Sequence, residues 1–239
     1  MLFIPLHDSN PLKIIKFQAV TFALIGICIA VYGMQFMLEL SAGQDSAFAF
    51  AQAWGVIPKE ILQGQSPAFP QAPIPESMTL LSTLFLHGSF MHLAGNMLYL
   101  WVFGDNVEDA MGHFRFLVFY LLCGVAATMA HVMMADGQGA LIPLIGASGA
   151  ISGILGAYLM LHPKVKVLIL IMWRVPWRFP ARWVLLSWIV FQFVGLFAGD
   201  VQTAWYAHLG GFLAGVILVP LFKSSKVPLF DRGRYDDFD

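Results

Sequence analysis

The stretch Gly146-Ala147-Ser148-Gly149-Ala150-Ile151-Ser152-Gly153 decides how this chain is read. It lies inside an apolar run of about residues 140 to 162 and sets a hydroxyl between glycines where a buried helix would begin. Taken alone, such small residues let two helices pack closely. The flanking sequence asks for more. Pro163, Lys164 and Lys166 close the run. A helix from Ser148 to His162 would be about 22 Å long, some 8 Å short of a bilayer's hydrocarbon. Its N-terminus would then lie below the surface. The residues before it would dip in as non-helical backbone, which is tolerated at depth only inside protein or a watery cavity.

Composition sets the class. The 239 residues are 59% hydrophobic and only 11% charged, with a mean hydropathy of +0.74. A soluble domain carries about 25% charged residues, so this much apolar surface reads as a polytopic α-helical membrane protein. The net charge of −1 says nothing about nucleic acid, and no basic patch points to it, so no nucleic-acid partner is expected. Cys28 and Cys123 both fall in apolar runs, which speaks against a disulfide or a metal site. The N-terminus lacks the basic start and small-residue cleavage site of a signal peptide, and its first apolar run is long enough to remain as a helix.

Six spans are expected, at roughly 17–40, 88–107, 114–134, 140–162, 183–199 and 203–222. Residues 41–77, with Pro58, Pro67, Pro70, Pro73 and Pro75, read as a mixed loop. The apolar runs 78–86 and 167–173 are too short to cross. An even number of spans puts both termini on one side. Of the 13 basic residues, Lys59 alone then falls on the other side, so the basic side is the inner one. The domain expectation is a single membrane unit over 1–239, with a core of about 17–222 and short polar termini at 1–16 and 223–239. The C-terminal residues Arg234 to Asp239 read as a polar tail, and Trp173, Trp177 and Trp183 as an interfacial aromatic belt. No targeting signal for an organelle is visible, which sets the expectation of a bacterial plasma membrane with both termini cytoplasmic.

Depth arithmetic gathers polar side chains around Ser148. His208 sits about 8 Å down the sixth span, and His92 and Asn96 about 6 and 12 Å down the second. Ionisable groups inside spans are costly and usually face a cavity. Gly149-x-x-x-Gly153-x-x-x-Ala157 and Ala207-x-x-x-Gly211-x-x-x-Gly215 are faces of small residues. If those faces meet, Ser148 meets His208. A serine needs a base within hydrogen-bond reach to become a nucleophile. An oxyanion needs preorganised donors, which a helix N-terminus and the Asn96 amide could supply.

With these residues in place, the chain resembles the rhomboid intramembrane serine proteases. Gly-Ala-Ser-Gly at 146–149, Ala-His-x-x-Gly at 207–211, His-x-x-x-Asn at 92–96 and Gly104-x-x-Val107-Glu108 match the family's motifs. The resemblance is close over about 88–222 and holds only in outline before that. It implies an all-α, six-transmembrane-helix bundle that cleaves transmembrane segments of other membrane proteins without a cofactor. It also implies Ser148 as nucleophile, His208 as general base, and His92, Asn96 and the Ser148 N–H as oxyanion donors. The expected partners are therefore transmembrane protein substrates and the lipid bilayer; no oligomeric state is implied.

Two departures stand out. The family's Trp-Arg pair in the first loop is missing, since Trp54 has no neighbouring Arg. Ser152 also occupies a position where some members stack an aromatic on the catalytic histidine, leaving open what orients His208. Rival readings are weaker. An inactive rhomboid-like protein that binds transmembrane segments is disfavoured by the presence of both Ser148 and His208. A transporter would want an inverted repeat. A zinc site at His87 and His92 lacks a third ligand at a useful spacing, and Gly104-Asp105 has no second intramembrane Asp to make an aspartyl protease.

Overall fold

The computed structural model describes residues 3–64, 73–171, 174–198 and 203–230. The polar tail with Arg232 and Arg234, Trp173, and the part of the first loop holding Pro67 and Pro70 lie outside the described residues. Helices dominate. In chain order they are α1 (Ala19–Ala42), α2 (Gln44–Trp54), α3 (Pro58–Gln63), α4 (Glu76–Ser82), α5 (Phe90–Met111), α6 (His113–Met134), α7 (Ser148–Leu161), α8 (Ala181–Phe197) and α9 (Trp205–Phe222). By length and composition α1, α6 and α9 can cross a membrane. The apolar helices α7 and α8 are shorter, at 14 and 17 residues, and α5 carries acidic residues in its last two turns.

The helix ends follow local chemistry. The Ser89 hydroxyl accepts the His92 N–H at 3.1 Å and so caps α5. Gly112, at φ 80°, ends α5 and opens α6. Few residues other than glycine tolerate that conformation, so two antiparallel helices are joined by a single-residue turn.

Three features differ from the expectation read in the sequence. The first loop is not irregular: α2 and α3 lie in it, between glycines and prolines that end helices without excluding short ones. The terminal lead is also structured. Phe3–Asp8 forms strand β1, paired antiparallel to β2 (Lys166–Ile171), which pairs antiparallel to β3 (Val175–Pro180). Helix alone therefore does not describe the chain. Val167 and Ile169 alternate inward along β2 and are buried against the helices. The run at 167–173 was too short for a span, and its two-residue period is the signal that a strand leaves.

The third difference is the acidic end of α5. The span expected at 88–107 leaves Glu108 and Asp109 beyond it, yet Asn106, Glu108 and Asp109 are all nearly inaccessible. The Asp109 carboxylate accepts the N–H groups of Lys13, Ile14 and Ile15 at 3.0, 2.7 and 2.8 Å. Glu108 accepts the N–H groups of Val20 and Thr21 and the Thr21 hydroxyl at 3.0, 2.8 and 2.7 Å. It thereby caps α1, which has no side-chain cap of its own. His113 Nδ1 lies 2.5 Å from the same carboxylate. Asp8 accepts from Tyr158 and, at 2.9 Å, from Asn106.

Candidate active site

The site is built on α7, which packs against α5, α6 and α9. Its first residue is Ser148, the start from which the depth argument was reckoned, and no side chain caps its N-terminus. The backbone leading in is held by protein. Leu144 exchanges two hydrogen bonds with Val56 at 2.7 and 3.1 Å. The Leu144 carbonyl also accepts from the Thr83 hydroxyl, and the Gly146 N–H donates to the Thr83 carbonyl at 2.9 Å. This is how irregular backbone survives at depth: polar groups of Leu144 and Gly146 find partners within the protein. Gly146 has φ 126°, and a β-carbon there would lie 2.7 Å from the His92 ring. The glycine is required both for its conformation and for the histidine above it.

The small faces of α7 and α9 meet. A β-carbon on Gly211 would lie 2.0 Å from the Gly149 carbonyl oxygen, and one on Gly215 would lie 2.0 Å from that of Gly153. Backbone touches backbone, and that contact sets the distance between the two helices. Beside that contact, Gly149 and Gly153 abut Ala127 and Cys123 of α6, and Ala127 also lies against Gly211.

With the helices this close, His208 Nε2 lies 2.9 Å from Ser148 Oγ. Both side chains line a cavity of about 750 Å³, together with His92, Asn96 and His131. Asn96 is 7% exposed, and its Nδ2 has no hydrogen-bond partner among the described residues. It is an amide donor buried in the cavity wall with nothing to donate to. All four residues singled out in the sequence are thus brought to one cavity.

His87 lies just before α5, with its ring 5.2 Å from that of His92. Burial, reinforced by His92, pushes its imidazole down to about 4, so it is neutral. Among the described residues no three His, Cys, Asp or Glu side chains converge as metal ligands would.

The sequence reading missed two neighbours of His208. Trp188 is buried, with its ring 6.0 Å from that of His208. Gln192, one turn further along α8, is 2% exposed and places Oε1 2.7 Å from His208 Nδ1. A lone amide inside an apolar helix was the available signal. Ser152 does not reach the histidine; its hydroxyl donates to the Ser148 carbonyl at 2.6 Å.

These features define a helical membrane protein that holds a serine–histidine pair in a sunken cavity. Residues 75–225 match the family described as Rhomboid domain, and the chain belongs to the rhomboid family. It is 27% identical over 199 residues to Rhomboid protein 1, mitochondrial, of Saccharomyces cerevisiae, covering 82% of this chain and 51% of that protein. It is 33% identical over 147 residues to the Presenilin-associated rhomboid-like protein, mitochondrial, of Bos taurus, covering 62% and 38%. It is 33% identical over 144 residues to RHOMBOID-like protein 5 of Arabidopsis thaliana, covering 60% and 43%. The chain thus spans about half or less of the length of these relatives. The mitochondrial names correct the expectation of a bacterial plasma membrane with cytoplasmic termini. That expectation rested only on the lack of a visible targeting signal, which does not identify a membrane.

Proposed function

We propose that this chain is an intramembrane serine endopeptidase that cleaves transmembrane segments of other membrane proteins. The observation that carries this reading is the 2.9 Å contact between Ser148 Oγ and His208 Nε2 at an uncapped helix N-terminus inside the cavity. His208 takes the serine proton as Oγ attacks the scissile carbonyl, then returns it to the leaving amine. The oxyanion that forms is stabilised by the Ser148 N–H, by the unpaired Asn96 Nδ2 and by His92. No step needs a cofactor. α1 and α5–α9 act as six spans of one membrane domain, with the basic side opposite the cavity mouth. The names of the yeast and bovine relatives favour a mitochondrial membrane as its setting.

The test mixes purified protein with a detergent-solubilised transmembrane substrate, beside Ser148→Ala. Cleavage by the wild type alone supports the reading; equal cleavage by both, or fluorophosphonate labelling of the Ser148→Ala protein, sinks it. Single cysteines at Gly139 and Ser224, in a chain lacking Cys28 and Cys123, should react with an impermeant maleimide from opposite faces. Reaction from the same face would overturn the span count.

A further inference from the structure

The family resemblance left His208 without an orienting partner, because the position that carries an aromatic in some members is Ser152 here. The structure fills that gap from another helix. Gln192 Nε2 donates to the Trp188 carbonyl at 3.2 Å, which uses the amide nitrogen and turns Oε1 toward His208. That assignment fixes the roles around the ring. An amide oxygen can only accept, so His208 Nδ1 must carry the proton at the 2.7 Å contact. A neutral imidazole protonated at Nδ1 presents a bare lone pair at Nε2, the atom facing Ser148 Oγ at 2.9 Å. The opposite tautomer would set two lone pairs against each other at Gln192 and would make Nε2 a donor to Ser148 Oγ instead of its base.

Among the described residues, Gln192 Oε1 is the side-chain acceptor that faces His208 Nδ1. The rings of Trp188 and Trp205 also lie near His208, with centroids at 6.0 and 6.2 Å. Neither accepts a proton-bearing nitrogen. Gln192 is buried and held at both ends of its amide, so it is a rigid rather than an adaptable acceptor. It also lines a second cavity of about 540 Å³, which residues of α8 and α9 including His208 border and Ser148 does not. Without Gln192 the histidine would have open space at its back.

We infer that Gln192 is a positioning residue that selects the Nδ1–H tautomer of His208 and aims its Nε2 at Ser148. It does the orienting work of a triad's third member with a neutral amide supplied from α8. The inference rests on the protease reading for its rate consequence, but not for its structural content.

The experiment measures transmembrane-substrate cleavage and the nitrogen-15 spectrum of histidine-labelled protein, for the wild type and for Gln192→Met, Gln192→Glu and Ser148→Ala. Methionine keeps the length and packing of Gln192 and removes the acceptor. Gln192→Met should lower kcat by about 10²-fold with KM and thermal midpoint unchanged. Gln192→Glu, which restores an acceptor at the same reach, should recover most of that loss. The wild-type spectrum should show His208 protonated at Nδ1, and Gln192→Met should show a mixture. A Gln192→Met protein with wild-type kcat, or a wild-type His208 protonated at Nε2, overturns the inference. If the wild type cleaves no more than Ser148→Ala, the protease reading fails instead, and the tautomer spectrum still decides the role of Gln192.

Discussion

Two buried polar clusters sit at opposite ends of the same helices, and they spend their polarity differently. Around Glu108, Asp109 and Asp8, carboxylates meet the donors of the N-terminal segment, and one carboxylate caps a whole helix. Around Ser148, by contrast, the Asn96 amide has no acceptor among the described residues, and no side chain caps the first N–H groups of α7. A satisfied cluster holds a fold together; an unsatisfied one at similar burial waits for a ligand. Proteins tolerate such unpaid polarity where charge must later be stabilised.

Substitutions should separate the two clusters. The largest effect is expected from His208→Ala, which should reduce cleavage by more than about 10³-fold while the thermal midpoint holds; kcat within tenfold of wild type would remove His208 as the base. Asn96→Ala should follow, lowering kcat by roughly 10²-fold. Because Asn96 Nδ2 has no partner to lose, thermal stability should not fall, and a marked drop would make Asn96 a structural residue. Glu108→Ala should behave in the opposite way. It strands two backbone N–H groups and a hydroxyl at the start of α1, costing about 3 kcal/mol of stability while the protein that stays folded keeps its kcat. Loss of turnover without loss of stability would erase the contrast.

The smallest effect is a dependence on pH. Burial, opposed by hydrogen bonds from Tyr158, Asn10 and Asn106, pushes the Asp8 carboxyl up to about 6. The folded chain therefore holds this proton more tightly than the unfolded chain, whose Asp titrates near 4. Its contribution is complete below about pH 4 and is lost as pH rises to about 6, by at most about 3 kcal/mol. Protection factors of β1 amides, which are corrected for the intrinsic base-catalysed rate, should fall across that window, and Asp8→Asn should abolish the trend. Protection factors that do not change with pH would place Asp8 outside the buried cluster.

The sequence carried the helices and the candidate site because both leave strong local marks. Long apolar runs set the helices within a few residues, and a helix starting at Ser148 was the premise from which its length up to Pro163 placed that N-terminus beneath the surface. The Ser148–His208 meeting was legible because glycines and alanines at four-residue spacing mark where helices touch. What escaped was long-range. The sheet joins residues 3–8 to 166–180, and no local pattern in the first segment announces the second. The burial of Glu108 and Asp109 depends on backbone N–H groups some ninety residues away. Gln192 was visible as an amide in an apolar helix, but its partner lies on another helix whose rotation no spacing rule fixed.

The contact of α9's glycines with α7's carbonyls also limits how the site can fail. An interface of side chains can adapt to an intruding methyl by changing rotamers. This one has no rotamers at its contact points, because Gly211 and Gly215 meet bare carbonyl oxygens. Any side chain added there acts as a rigid shim. It widens the gap between nucleophile and base by its own thickness, so damage should come in steps set by the size of the added group and should appear in turnover before it appears in binding.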